Sequence, residues 1–449
     1  MTINPATLFA ARVPRYTSYP TAPHFHPGID AAKSRAWLQQ IDPETPLSLY
    51  CHIPFCDTLC WFCGCHTTVV NRYAPVAEYR DLLLQEIAIV ANALAAGHKV
   101  THIHWGGGSP TMLRPQDITA LGRALRDRFD VAADCEFAVE IDPRGFSQDT
   151  ARALVDSGLT RASIGLQDSD PAVQRAINRM QSNEETRRVV AMLRGMGVRS
   201  INLDLVYGLP HQDIERFRRT VEFALWLNPD RIAVFGYAHV PHFKKHQQLI
   251  PERALPNLDT RFAQAQLAQE MFAAAGYQPI GLDHFAKPAD SLAIAQRAGT
   301  LCRNFQGYTS DRAPALIGLG ASAISSLPQG YVQNIADVPG YRRAIESGRL
   351  PVARGVELSD EDRLRRRVIE KLMCDLHVNI EDVAAEFGQS PDILKEAVEC
   401  LHSLQRDGIV EIEGSRVSVC DKWRNAVRLV CAAFDAYLNP LADRHALAV

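Results

Sequence analysis

Residues 47–67, LSLYCHIPFCDTLCWFCGCHT, run a short apolar segment straight into a crowd of thiols. The first seven residues read as a strand. The stretch holds five of the chain's eleven cysteines: Cys51, Cys56, Cys60, Cys63 and Cys65. A strand that ends in a polar, reactive loop is the unit from which parallel α/β sheets build their sites, because ligands gather at the carboxyl ends of such strands. The question is whether more units of this kind follow.

They do. From about residue 47 to 285, short apolar runs alternate with longer amphipathic ones, the signature of repeated βα units around a parallel sheet. Strands are expected at 47–53, 100–105, 136–142, 161–167, 200–208 and 231–240, with helices at 77–94, 116–129, 185–196 and 217–228 between them. Six units in series suit a barrel or partial barrel, and an open doubly wound sheet is compatible with the same pattern. In either, the strand ends carry the cysteine run, GGGSP (106–110), Glu140 with DPR, Gln167 with Asp168, YGLP (207–210) and YAHVP (237–241).

Three regions are expected. Residues 1–45 form an arm containing PRYTSYPTAPHFHPG (14–28), whose prolines and aromatics argue for an extended segment packed on something else. Residues 46–350 hold the βα units. Residues 351–449 turn mainly helical and then enter a hairpin, IVEIEGSRVSVC (409–420), with Gly414 at its turn. That order resembles a winged helix, but its charges are mixed in sign and form no basic stripe, which argues against nucleic acid.

Composition narrows the class further. The 449 residues are 47% hydrophobic and 22% charged with a net charge of −3, a globular balance with no electrostatic footprint for nucleic acid or an anionic membrane. No window holds eighteen apolar residues, and the first twenty carry arginines and prolines where a secretory signal needs an apolar core. A cytoplasmic protein is expected, with no membrane partner. Clustered cysteines there are metal ligands or catalytic groups rather than disulfides.

The inner spacing, Cys56-x3-Cys60-x2-Cys63-x-Cys65, fits structural zinc poorly, since zinc usually takes two C-x2-C pairs and no second pair exists. A redox dithiol at Cys60 and Cys63 would leave Cys56 and Cys65 without a role. Three cysteines in a loop suit an iron–sulfur cluster, whose ligands are thiolates. If three hold a [4Fe–4S] cube, one iron stays open for chemistry; a closed site that also used Cys65 would serve electron transfer alone. Cys51 lies within the strand and reads as packing. GGGSP is neither a P-loop nor G-x-G-x-x-G, and a tight strand-to-helix turn would by itself explain it.

C-x3-C-x-aromatic-C after the first strand, with Phe62 before the third cysteine, resembles the signature of the radical S-adenosylmethionine (radical SAM) superfamily. Together with YCHIPFC, Cys65, PRYTSYPTA, HWGGGSPT, VEIDPR, LDLVYGLP and RNFQGYTS, the chain resembles the oxygen-independent coproporphyrinogen III oxidases over nearly its whole length. The resemblance implies an α/β fold: a partial (β/α)6 radical-SAM barrel with an N-terminal arm and a mainly helical, winged-helix-like C-terminal domain. It implies one [4Fe–4S] cluster per chain on Cys56, Cys60 and Cys63, with Cys65 in the pattern but not a ligand, and two S-adenosylmethionine molecules. Tyr50, Gly107, Glu140 and Ile324 would contact the first. Phe62, Gly108, Ser109, Gln167, Arg179, Asp204 and Ala238 would contact the second, and Phe305 and Gln306 would help line the cavity.

These residue types suit the cofactor on their own terms. Glu140 and Asp204 can accept from ribose hydroxyls or an ammonium, Arg179 can pair with a carboxylate, and Phe62 and Ile324 can flank a flat base. The implied reaction removes two propionate carboxylates of coproporphyrinogen III to leave vinyl groups, giving protoporphyrinogen IX in heme biosynthesis. It uses a 5′-deoxyadenosyl radical and electrons from a low-potential donor. An acidic chain must offset four substrate carboxylates locally, and Arg15 and Arg303 are the candidates, with the arm closing as a lid. A monomer is expected. Two other readings compete: a heme chaperone, against which Cys65 and PRYTSYPTA speak, and an electron-transfer or nucleic-acid module using the cluster and the tail.

Overall fold

A computed structural model describes residues 13–95 and 97–438; the outer ends of the expected arm and C-terminal domain lie outside this range. All six expected strands form: β1 (Leu47–Ile53), β2 (Lys99–Gly107), β3 (Asp130–Ile141), β4 (Arg161–Gln167), β5 (Ser200–Tyr207) and β6 (Arg231–Gly236). Each pairs in parallel with the next, in chain order and without reversal. A doubly wound sheet reverses its strand order partway. The uninterrupted order is that of a barrel wall, and it decides between the two architectures.

The sheet is longer than the six units foretell. Two short strands, β7 (Gln278–Ile280) and β8 (His284–Ala286), extend it antiparallel beyond β6. On the other side β9 (Ala315–Leu319) lies parallel to β1. The antiparallel strands β10 (Ile324–Leu327), β11 (Gly330–Asn334) and β12 (Val352–Glu357) follow. The described sheet thus has twelve strands ending on β12 and β7, which do not pair, so the barrel is partial.

The helices begin where sequence chemistry places their caps. Among them are α1 (Ala74–Ala91), α2 (Pro115–Arg128), α3 (Asn183–Gly195) and α4 (Ile214–Trp226). Ser182 and Glu185 make a capping box for α3, and the Asp213 side chain accepts from the first turn of α4. Beyond residue 358, α5 (Asp360–Asp375) packs Leu364, Val368 and Leu372 inward. A three-stranded sheet of His377–Asn379, Arg416–Val419 and Val410–Glu413 follows, its hairpin turning at Gly414 with φ +59°. Three short helical pieces, Pro391–Leu394, Lys395–Cys400 and His402–Arg406, lie between the first and second strands of this sheet in chain order. α6 (Val427–Ala433) then packs back onto α5.

The arm packs as its aromatics suggest. Tyr16 and Tyr19 are buried, the Tyr16 hydroxyl donates to Asp435, and the Tyr19 hydroxyl accepts from the Ala436 N–H. Arg428 of α6 donates to the carbonyls of Val13 and Pro14. Both described ends of the chain are therefore tied to each other beside the barrel mouth.

One buried carboxylate ties α1 to the late strands. Glu86 accepts from the Gly320 N–H at 2.6 Å, the Tyr341 hydroxyl at 2.6 Å and the Asn334 amide at 2.7 Å. Burial pushes its carboxyl up to about 7, against the pull of these donors. The folded chain then binds this proton more tightly than the unfolded chain, so the associated stability is full below the unfolded pKa and is lost as pH rises toward 7. Relative to Glu86→Gln, the native protein should lose roughly 3 kcal/mol between pH 4.5 and 7.5, read from anaerobic urea unfolding at each pH.

Candidate active site at the carboxyl ends of the strands

The cysteine loop leaves β1 at Ile53 and is pinned through its backbone. Phe55–Cys56 pairs with Thr68–Val69, and the N–H groups of Gly108 and Ser109 donate to the carbonyls of Ile53 and Phe55 at 2.9 and 2.7 Å. Asn178 donates to Leu59 O, Gln247 to Phe62 O, and Lys244 to Cys65 O, while His246 reaches Cys63 O at 2.8 Å. With its carbonyls turned outward to these partners, the loop offers its sulfurs to the interior.

Cys56, Cys60 and Cys63 line one cavity of about 620 Å³, and none is in a disulfide. Each sulfur has a donor. The Thr67 hydroxyl donates to Cys56 at 3.2 Å, the Cys65 N–H to Cys63 at 3.4 Å, and Arg179 and Arg144 to Cys60 at 3.6 and 3.7 Å. Hydrogen bonding from Cys65 brings the Cys63 thiol down to about 7 against burial, with Lys244 and Arg179 adding to the pull. Burial instead pushes Cys56 up to about 11, so its thiolate needs a metal to form. Among the described residues no three His, Cys, Asp or Glu side chains converge tightly enough for a single ion. Thiols spread over a wide cavity suit a multi-iron cube, whereas zinc would draw its sulfurs to about 2.3 Å.

Gly107 is strained for any other residue: φ is +112°, and a Cβ would sit 2.5 Å from the His52 ring. Its neighbours are crowded too, Gly106 by the Glu140 carboxylate and Gly108 by the Phe55 backbone. Gly107 and Gly108 line the cavity, and the protein's own atoms already require their bareness. His52 accepts from the Tyr50 hydroxyl at Nδ1 and donates from Nε2 to His66 O, each at 3.0 Å. Burial lowers its pKa, keeping it neutral in that tautomer.

Eight of the eleven cofactor candidates reach the cavity: Phe62, Gly107, Gly108, Glu140, Gln167, Arg179, Asp204 and Ala238. Three do not. Tyr50 sits opposite His104 on β2, its hydroxyl bonded to His52. Ser109 is buried, its hydroxyl shared with Thr111 at 2.9 Å. Ile324 packs with Phe25, Tyr331 and Phe305 on the far side of β9.

Charges in the cavity are paired. Glu140 accepts from the Gly107 N–H at 3.1 Å and contacts His104 at 3.2 Å. Burial pushes Asp204 up to about 6, opposed by hydrogen bonds from Asn202 and Ser163. Arg179 donates to Asp142 at 3.0 Å and to Gly165 O at 2.8 Å. Burial raises the Asp142 carboxyl, but Arg179 and Arg144 outweigh it and hold it below the usual range. Asp142, Arg144 and Thr67 were not singled out from sequence, although DPR at the end of β3 carried the signal.

A second cavity of about 420 Å³ shares Arg15, Cys65, Phe235, Gly236, Tyr237 and Ala238 with the first. Phe305, Gln306 and Arg303 line it.

A thiol-lined cavity at the carboxyl rim of a partial barrel defines the class. The Radical SAM superfamily matches residues 50–224, and the HemN C-terminal domain matches 358–422. The oxygen-independent coproporphyrinogen III oxidase of Bradyrhizobium diazoefficiens is 49% identical over 438 residues, covering 98% of this chain and 97% of that one. That of Pseudomonas aeruginosa is 41% identical over 434 residues, covering 95% and 94%. The solved structure of coproporphyrinogen III oxidase (HemN) from Escherichia coli, described as a radical SAM enzyme, superposes with a TM-score of 0.91 at 39% identity, covering 94% of this chain and 98% of that one. This chain belongs to the oxygen-independent coproporphyrinogen III oxidases. It is a radical SAM oxidoreductase of heme biosynthesis, and its family implies a [4Fe–4S] cluster and S-adenosylmethionine.

Gly107→Ala should cost about 2–3 kcal/mol of stability through its forbidden φ and the His52 clash. Gly195→Ala, with nothing within 4 Å at the end of α3, should be neutral or slightly stabilising. Denaturation midpoints of the two variants measure the contrast.

Proposed function

We propose that Cys56, Cys60 and Cys63 hold one [4Fe–4S] cluster per chain, and that two S-adenosylmethionine molecules occupy the space beside it. On this reading the oxidative decarboxylation of coproporphyrinogen III takes place in that cavity. The observation that carries it is the meeting of three hydrogen-bonded thiols and eight cofactor candidates on one wall. When bound, the cluster supplies the electron that opens S-adenosylmethionine to radical chemistry.

The chain's own residues bind, orient and exclude. Arg179 and Arg144 donate to the Cys60 sulfur. Glu140 and Asp204 present acceptors at adjacent strand ends for an ammonium or ribose hydroxyls, and Phe62 supplies a flat apolar wall against Val173, Ile177 and Tyr237. Burial of β1, β4 and β5 around this rim keeps bulk water from one side of the reacting groups. The two reactive propionates are taken in turn by the same centre, with the substrate's carboxylates met by Arg15 and Arg303. A low-potential donor delivers the electrons to a monomeric chain. Among the described residues no helix is long and apolar enough to cross a membrane.

Anaerobically prepared protein should be brown with about four iron atoms per chain. Cys60→Ala should lose the colour, the iron and all vinyl product. Cys65→Ala should keep the iron, and loss of iron in that variant, read by absorbance and iron assay, would reassign the ligand set.

A further inference from the structure

The second cavity is unbalanced in charge. Its wall carries the guanidinium groups of Arg15, Arg261, Arg303 and Arg428 and a single carboxylate, Asp283. Arg261 and Arg428 are buried, Arg303 is half-buried, and Arg15 is exposed at the mouth of the cavity. Burial, followed by the nearby charge of Arg15, lowers Arg428 to about 10, as expected where like charges crowd. A wall this rich in guanidinium groups suits an anionic ligand.

The four arginines do different work. Arg428 reaches the arm carbonyls of Val13 and Pro14, and Arg303 donates from Nη2 to Arg15 O at 3.3 Å. Arg261 donates to Tyr237 O at 2.8 Å. Arg303 stands out: its ring-facing guanidinium lies 4.4 Å from the centroid of Tyr308, and Nε and Nη1 are shut from solvent without a hydrogen-bond partner among the described residues. Unsatisfied donors on a guanidinium call for oxygen acceptors, which a carboxylate supplies.

We propose that this cavity grips the two propionates that survive the reaction, with Arg303 and Arg261 as anchors, while the propionate that reacts projects across the shared wall into the cluster cavity. This rests on the reading of the first cavity given above. The assignment to the surviving carboxylates follows from chemistry. A carboxylate that leaves as CO2 must give up its negative charge, and a buried guanidinium stabilises that charge in the ground state, raising the barrier. Strong anchors therefore belong to carboxylates that persist. In the cluster cavity, Arg179 and Arg144 both donate to Asp142, which offsets their charge toward a reacting carboxylate. The shared wall of Phe235, Gly236, Tyr237 and Ala238 lets one flat macrocycle lie along both cavities.

The test uses the holoprotein and two fluorescent porphyrins: coproporphyrin III, with four carboxylates, and protoporphyrin IX, which keeps only the two that survive. Equilibrium titration should show Arg303→Gln and Arg261→Gln weakening both ligands by a similar factor, about tenfold to a hundredfold. If the variants weaken only coproporphyrin III, the cavity holds the reacting propionates and the proposal is overturned; unchanged binding of both overturns it as well. Should either variant fail to fold, the native protein decides. Protoporphyrin IX dimethyl ester should bind at least tenfold more weakly than the free acid, and equal binding overturns the proposal. Turnover of coproporphyrinogen III by the same native preparation separates the two readings. Vinyl product alongside an unaffected Arg303→Gln sinks only the anchoring, whereas no vinyl product sinks both.

Discussion

Everything at the rim depends on how the loop from Phe55 to Thr68 is held. It uses hydrogen bonds to its backbone from Asn178, Lys244, Gln247 and the β2 turn, so its cysteine side chains are not spent on fixing it. A loop anchored by its own thiols would need the metal in order to fold. Here the polypeptide partners come from three different strand ends, which makes the thiol geometry a property of the barrel. The glycines at 106–108 serve the same end, since any Cβ there would push Glu140, His52 or Phe55 away from the loop they support.

The second constraint is electrostatic. The chain is acidic overall, yet it brings together four guanidinium groups from the arm, a helix packed on β5 and β6, the short hairpin of Cys302–Asn304 and Gly307–Thr309, and α6. No two adjacent segments supply them. The grouping exists only because the two described ends of the chain meet, through Arg428 with Val13 and Pro14 and through Asp435 with Tyr16. The arm and the C-terminal segment thus act as one structure at the mouth, and neither would place its arginine without the other.

Much of this was legible beforehand because the informative signals are local. Each of the six strands carries its apolar run and its polar terminus within about ten residues, and the Cys56, Cys60 and Cys63 spacing needs only one loop. What escaped was non-local. β9 is five uniformly buried residues, ALIGL, with no alternation to mark it, and it joins β1 across more than two hundred and sixty residues. Arg261 and Arg428 sit in ordinary helical contexts, and only the tertiary fold turns them toward Arg15 and Arg303. Ile324 shows the converse limit. Its motif match points to the cofactor, and the sequence does not show that it also packs, partly buried, against the cluster of Phe25 and Tyr331.

The interior of the barrel adds a last constraint. Between the two cavities and the far end of the strands lies a smaller polar space lined by Ser48, His102, Glu136, Arg161, Asp204 and Asp311, where most barrels stack aliphatic layers. Its polar groups are paired, Arg161 with Glu136 in an ion pair and His102 Nδ1 with Asp311 at 3.1 Å. Such pairing contributes little net stability when buried, so its value lies elsewhere. It fixes the strand register beneath Glu140 and Asp204 through directional contacts that aliphatic packing does not supply. Above it, burial pushes Asp204 up to about 6, and hydrogen bonds from Asn202 and Ser163 oppose that rise. The floor of the site is thus built from the same kind of directional, paired contact as its walls, and the positive excess is confined to the one cavity that faces the arm.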